Sequence, residues 1–95
     1  MPALIVFTRE RLRDKAEFDI YSGLAGATLA GHTVKPHVAY NKCETLEGAP
    51  IEGAVILEFP TMEAAKAWYD GPEYRAAREH RFKSADYRVF ITETL

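Results

Sequence analysis

Apolar positions fall into four short strand-like runs separated by two stretches of helical spacing. Ala3-Leu4-Ile5-Val6-Phe7-Thr8 is apolar at consecutive positions and partly β-branched, which predicts a strand covered on both faces. Asp14 with Glu17 three residues on resembles a capping box, and Phe18, Tyr21, Ala25 and Thr28 or Leu29 then recur at helical spacing. A first helix is expected from 14 to 30, closed by Gly31. Gly23 and Gly26 inside it each cost roughly 1 kcal/mol relative to alanine, so they point to close approach of a strand or ligand, or to a slight break, with packing the commoner reason. From Thr33 to Leu46 apolar residues alternate loosely, and Pro36 forbids full pairing, which predicts an edge strand.

"EGAPIEG" reads as a loop, and "AVILEF", residues 54 to 59, as a second two-sided apolar strand interrupted only by Glu58. Pro60 and Thr61 open a helix in which Met62, Ala65 and Trp68 or Tyr69 share a face. Asp70-Gly71-Pro72 stops it, and helical spacing resumes at Glu73, giving a bent helix or two short ones. "YRVFITE", from Tyr87, alternates as a final strand. The order β-α-β-β-α-β over residues 1–95 predicts one α+β, ferredoxin-like domain, a four-stranded antiparallel sheet with helices on one face.

That plan leaves the other sheet face open to water. Leu4 and Val6 against Ile5 and Phe7, and Val55, Leu57 and Phe59 against Ala54 and Ile56, are nevertheless apolar on both sides. Leaving three to five such side chains wet would cost roughly 1.5 to 3 kcal/mol each, so a second copy packed sheet to sheet is expected, making a dimeric α/β barrel.

Composition narrows the partners. Ninety-five residues, 47% of them hydrophobic, suffice for one domain. Twelve basic and fourteen acidic residues are scattered and leave a net charge of -2, so no nucleic-acid footprint is expected. The longest apolar run, Ala3 to Phe7, is far short of the ~20 residues of a membrane span. The chain therefore reads as cytoplasmic, with no membrane partner. Cys43 stands alone, which excludes an internal disulfide and a multi-cysteine metal site. His32, His37 and His80 form no metal-ligand spacing, and no phosphate loop or dinucleotide fingerprint occurs, so neither a metal nor a nucleotide cofactor is expected.

Residues 55 to 93, "VILEFPTMEAAKAWYDGPEYRAAREHRFKSADYRVFITE", resemble the C-terminal half of the DUF1330 proteins, through "LEFP", "A-x-A-W-Y", "PEY", Arg81 and "SAD-x-R". The second strand, "AGHTVKPHVAYNK", departs from that family's glycine-rich stretch. The resemblance implies a ferredoxin-like homodimer of the dimeric α/β-barrel superfamily and carries no established activity.

The chemistry-bearing candidates are few. Trp68 and Tyr69, about 100° apart on one helix, straddle its inner face as core aromatics or as pocket walls. Tyr74 follows the Gly-Pro break, and its hydroxyl would need a partner if its ring drops over the first helix. Glu58, a carboxylate on a two-sided strand, needs a partner, for which Arg81 or Arg88 is the candidate. Arg81 is the cation expected for an anionic or carbonyl-bearing ligand, and His37 or Glu58 the base in a cofactor-free reaction, with Tyr40 and Trp68 as walls. Two functions stay open: binding or conversion of a small organic molecule, and a non-catalytic dimeric interaction module.

Overall fold

The computed structural model describes residues 1–95 and contains four strands and three α-helices. Strand β1 (Ala3–Leu12) leads to α1 (Lys15–Ala25), then β2 (Lys35–Ala39) and β3 (Gly53–Phe59). Helices α2 (Met62–Tyr69) and α3 (Pro72–Ser84) follow, and β4 (Ala85–Glu93) closes the chain. The sheet order is β2-β3-β1-β4 with every neighbouring pair antiparallel, so the fold is α+β and ferredoxin-like.

Register separates the two sheet faces. Ile5 lies opposite Leu57 and Ile91, and these side chains turn toward the helices; Ile5, Phe7, Leu57 and Phe59 are buried. Val6 lies opposite Ile56 and Phe90 on the other face, and Val38 joins them from β2. No helix covers that face, and Phe90 is 52% exposed. Both faces are apolar at the sheet centre, as the runs at 3–8 and 54–59 implied.

β1 outruns the apolar run. Its pairing with β3 ends at Arg9, while pairing with β4 continues through Arg11 and Leu12 past an irregularity between Arg9 and Arg11. This two-stranded extension needs no apolar alternation because it has no core to cover. The second strand is much shorter than Thr33 to Leu46. The missing N–H of Pro36 coincides with a register shift between Pro36 and Val38, and Tyr40 turns the chain away at φ 59°. β2 is nonetheless an edge strand.

Asp14 caps α1 through the Glu17 N–H, as the spacing predicted, but the α-helix stops at Ala25 and tightens into a 3₁₀ turn over Gly26–Leu29. Of the two readings of the glycines, close approach is not found, and the slight break is, at Gly26. A Cβ placed on Gly23 or Gly26 would meet nothing within 4 Å. Gly26 instead begins the tighter turn, and Gly31, at φ +82°, takes the left-handed conformation that lets the chain leave. After β3, the Thr61 hydroxyl caps α2 by accepting from the Ala64 N–H, and Pro72 opens α3 in its first turn. The Gly-Pro break thus makes two helices.

The core lies between helices and sheet. The Phe59 and Trp68 rings stack at 5.6 Å, Trp68 and Tyr74 sit at 4.1 Å, and Phe7 meets Trp68 and Tyr74 edge-on at 6.3 Å. α3 contributes a buried stripe at i, i+3, i+7 and i+10: Tyr74, Ala77, Arg81 and Ser84. An arginine is part of that stripe.

Candidate functional site: a tyrosine and arginine cluster beside a helix–sheet cavity

All five tyrosines of the chain, carried by five different elements or their ends, lie in one cluster of packed rings that three separate hydrogen bonds tie together in pairs. The Tyr21 and Tyr74 hydroxyls are 2.7 Å apart and join α1 to α3. The Tyr40 and Tyr87 hydroxyls, 2.6 Å apart, join the end of β2 to β4. The fifth, Tyr69 at the end of α2, accepts a hydrogen bond from Arg81 Nη2 at 3.1 Å. A buried phenol needs a partner for its polar tip, and here the partners are chiefly one another.

Beside this group a cavity of about 360 Å³ opens between helices and sheet, with Phe7, Tyr21, Tyr40, Val55, Trp68 and Tyr74 among its walls. Trp68 is fixed there by donating from Nε1 to the Thr28 hydroxyl at 3.1 Å, and Thr28 in turn donates to the Ala25 carbonyl. The Tyr40 ring packs edge-on to Phe18, and the Arg9 guanidinium lies over both rings at 5.2 and 4.9 Å. Tyr40 is the one non-glycine residue at positive φ, a conformation that costs of order 1–3 kcal/mol and persists where surrounding contacts impose it.

Gly53 gives that ring its space. An added Cβ would come within 2.8 Å of Tyr40 Cδ1. Gly53→Ala is therefore expected to push the ring aside, separate it from Tyr87 and lower stability by about 1 kcal/mol, the worth of one hydrogen bond. Thermal unfolding and a crystal structure of the variant check this, and an unmoved Tyr40 ring contradicts it.

The cavity has a definite electrostatic character. Burial is the leading cause that raises the pKa of Tyr21, Tyr40, Tyr74 and Tyr87, and Tyr74 is pushed up to about 12. These phenols therefore stay protonated at neutral pH and act as hydrogen-bond donors. No carboxylate, imidazole or amine lines the cavity. Its side chains can hold a molecule and steady negative charge on an oxygen, but they include no group suited to abstract a proton.

The sequence-predicted residues divide between the two faces. Trp68, Tyr40 and Tyr74 line the cavity, Tyr69 stands next to it against the Ile5, Val89 and Ile91 groove, and Arg81 is buried among the rings. Glu58 and His37 lie on the open face, where His37 Nε2 and Glu58 Oε1 are 2.9 Å apart. The expected pairing of Glu58 with Arg81 or Arg88 is thus overturned. Strand alternation points residue 58 away from the helices that carry Arg81, and Arg88 pairs with Glu10 at 3.1 Å. Sequence reading missed Tyr21, Tyr87 and Arg9 as members of the cluster. Tyr21 carried the one available signal, a phenol on the inward stripe of α1 whose hydroxyl would need a partner.

Comparison with known proteins agrees with this architecture. Residues 2–95 match DUF1330, a domain of unknown function. The chain belongs to the DUF1330 family. The match takes in the first half and the divergent second strand, beyond the stretch 55 to 93 where the resemblance was legible. No curated protein matches the sequence. Among solved structures, a protein of unknown function from Rhodopseudomonas palustris is similar at TM-score 0.74 and 18% identity, covering 99% of this chain and 82% of that one. A dimeric protein of unknown function with a ferredoxin-like fold from Bacteroides fragilis follows at 0.66 and 18%, covering 98% and 96%. SnoaB, a cofactor-independent oxygenase from Streptomyces nogalater, is similar at 0.63 and 9%, covering 99% and 93%. At such identities the likeness shows the fold. In this DUF1330 chain no helix is long and apolar enough to cross a membrane.

Proposed function

We propose that this DUF1330 protein is a homodimer whose helix–sheet cleft binds a small planar organic molecule, without a metal or nucleotide cofactor. The observation that carries the reading is the cavity of about 360 Å³, large enough for a one- or two-ring compound and walled by Phe7, Tyr40, Trp68 and Tyr74. The uncovered apolar sheet face supports the dimer, as does the dimeric state of the Bacteroides fragilis relative. In that dimer His37 and Glu58 lie in the layer between sheets, where their 2.9 Å hydrogen bond serves the interface and cannot reach a ligand in the cleft.

Binding is favoured over conversion for a chemical reason. A donor-lined cleft without a base acts only on a molecule that ionises by itself or arrives already ionised. SnoaB shows that a protein of this fold can be a cofactor-independent oxygenase, which keeps conversion as the second reading.

Gly26 offers a direct test. It lines the cavity, has helical φ, and leaves open space for a Cβ, so Gly26→Leu fills the cleft without straining the fold. Small aromatic compounds are expected to change the fluorescence of Trp68, the single tryptophan, in the parent protein and to lose that effect in the variant. Equal responses from the two proteins would place the binding elsewhere and sink the proposal.

A further inference from the structure

Arg81 is a cation without a counter-ion. Its side chain belongs to a residue only 2% exposed, it has no carboxylate within ion-pair distance, and two of its three guanidinium nitrogens, Nε and Nη1, are buried with no hydrogen-bond partner. The third donates to Tyr69. Phe7, Phe82 and Tyr87 rings surround the guanidinium carbon at 5.5, 5.1 and 5.1 Å, which eases the charge but accepts none of the free N–H groups. Other buried charges in proteins are paired, and an unpaired guanidinium in a low-dielectric setting is costly.

The hydroxyls add to the same imbalance. Only one proton can lie between the Tyr21 and Tyr74 oxygens, so the second hydroxyl keeps a proton that no other group in the chain accepts. Tyr69, already an acceptor from Arg81, likewise has its own O–H free. The buried centre thus presents an excess of donors and almost no acceptors. Tyr74 and Arg81 share the inward stripe of α3, two turns apart, so both face the same interior. The arginine charge is felt at the hydroxyls of Tyr74, Tyr21 and Tyr40, where it works against their burial. The guanidinium also packs against Phe7, which lines the cavity with Tyr21 and Tyr74.

From this donor excess we infer that the ligand of the cleft is an organic oxyanion, a carboxylate or phenolate on a planar body, whose charged oxygen accepts the free proton of the Tyr21–Tyr74 pair and whose charge is steadied by Arg81 from behind the Phe7 wall. The assignment rests on the cleft reading above and specifies its ligand class. A neutral amide or an amine would bring surplus donors to a site that already lacks acceptors.

The test titrates the purified protein calorimetrically with benzoate and with benzamide, which share a ring and differ in charge, alongside Arg81→Met, whose side chain has similar length and no charge. Benzoate is expected to bind at least about tenfold more tightly than benzamide, in line with a hydrogen-bonded charge. Arg81→Met should abolish that preference while leaving benzamide binding within about twofold, because only the uncompensated charge is lost. Should Arg81→Met fail to fold, Arg81→Lys, which keeps the charge, is expected to retain a preference for benzoate. Equal binding of the two probes by the parent protein overturns the oxyanion assignment and leaves the cleft intact. No binding of either overturns both, and a benzoate preference that survives Arg81→Met removes Arg81 from the role.

Discussion

Val6→Asp is expected to convert the proposed dimer to a folded or partly unfolded monomer, and Ile56→Lys to do the same. The two side chains face each other across β1 and β3 on the face that no helix covers, with Val38 and Phe90 as their neighbours. In a face-to-face dimer with a dyad each substitution occurs twice, so two charges enter the same apolar layer. An unpaired buried charge costs roughly 3 kcal/mol or more. Two of them amount to about 6 kcal/mol, and since each 1.4 kcal/mol is about tenfold, dissociation should strengthen by roughly 10⁴. Light scattering at micromolar concentration reads the outcome. Leu24→Asp serves as the control, since Leu24 is 43% exposed on α1, outside the proposed interface, and its change should leave the assembly alone. A Val6→Asp protein that stays dimeric would mean that the apolar sheet face is not the interface.

The same face explains what the sequence could and could not reveal. Strand alternation fixes which residues share a side, so the two-sided runs at 3–8 and 54–59, set in a β-α-β-β-α-β order, implied an apolar sheet face left uncovered by the helices. That Glu58 shares a face with Ala54 and Ile56 followed from the same rule, though not that this is the uncovered face. Its partner did not, because His37 reaches it only through the register shift after Pro36, and a shift of one residue sends every later side chain to the opposite face. Arg81 was legible as an important cation from its place in the family motif. Its lack of a counter-ion was not, since a missing partner depends on what six other elements bring to the same volume. The tyrosine group was hidden for a related reason: its members are separated by 53 and 47 residues in the two hydroxyl pairs, and nothing in local spacing links them. The limits of α1 and β2 were set by a 3₁₀ turn and a positive φ at Tyr40, features that hydrophobic periodicity does not encode.

Alkali is expected to unfold the protein in one cooperative step between about pH 10 and 12, with phenolate appearing only as structure is lost. Tyr74 has its pKa pushed up to about 12 against an ordinary value of 10.0, chiefly by burial, and Tyr21, Tyr40 and Tyr87 move in the same direction for the same first cause. A raised folded-state pKa means that above pH 10 the unfolded chain releases protons that the folded chain retains. Stability is then fully present below about pH 10 and falls as pH rises toward 12. For Tyr74 alone, two units at 1.36 kcal/mol per unit give about 2.7 kcal/mol. Tyr21, Tyr40 and Tyr87 add to this loss in the same direction, against a total of only 5–15 kcal/mol typical of a domain. Circular dichroism and phenolate absorbance followed on one pH titration should coincide. Tyrosines ionising near pH 10 with the helical signal intact would show that their hydroxyls are hydrated and the cluster open. Coincidence would carry a further implication at neutral pH, because the burial that makes these phenols reluctant acids is what keeps them as fixed donors around Arg81. Benzoate occupying that site would add acceptors to the folded state only. It is therefore expected to raise the pH of unfolding, and benzamide to raise it less.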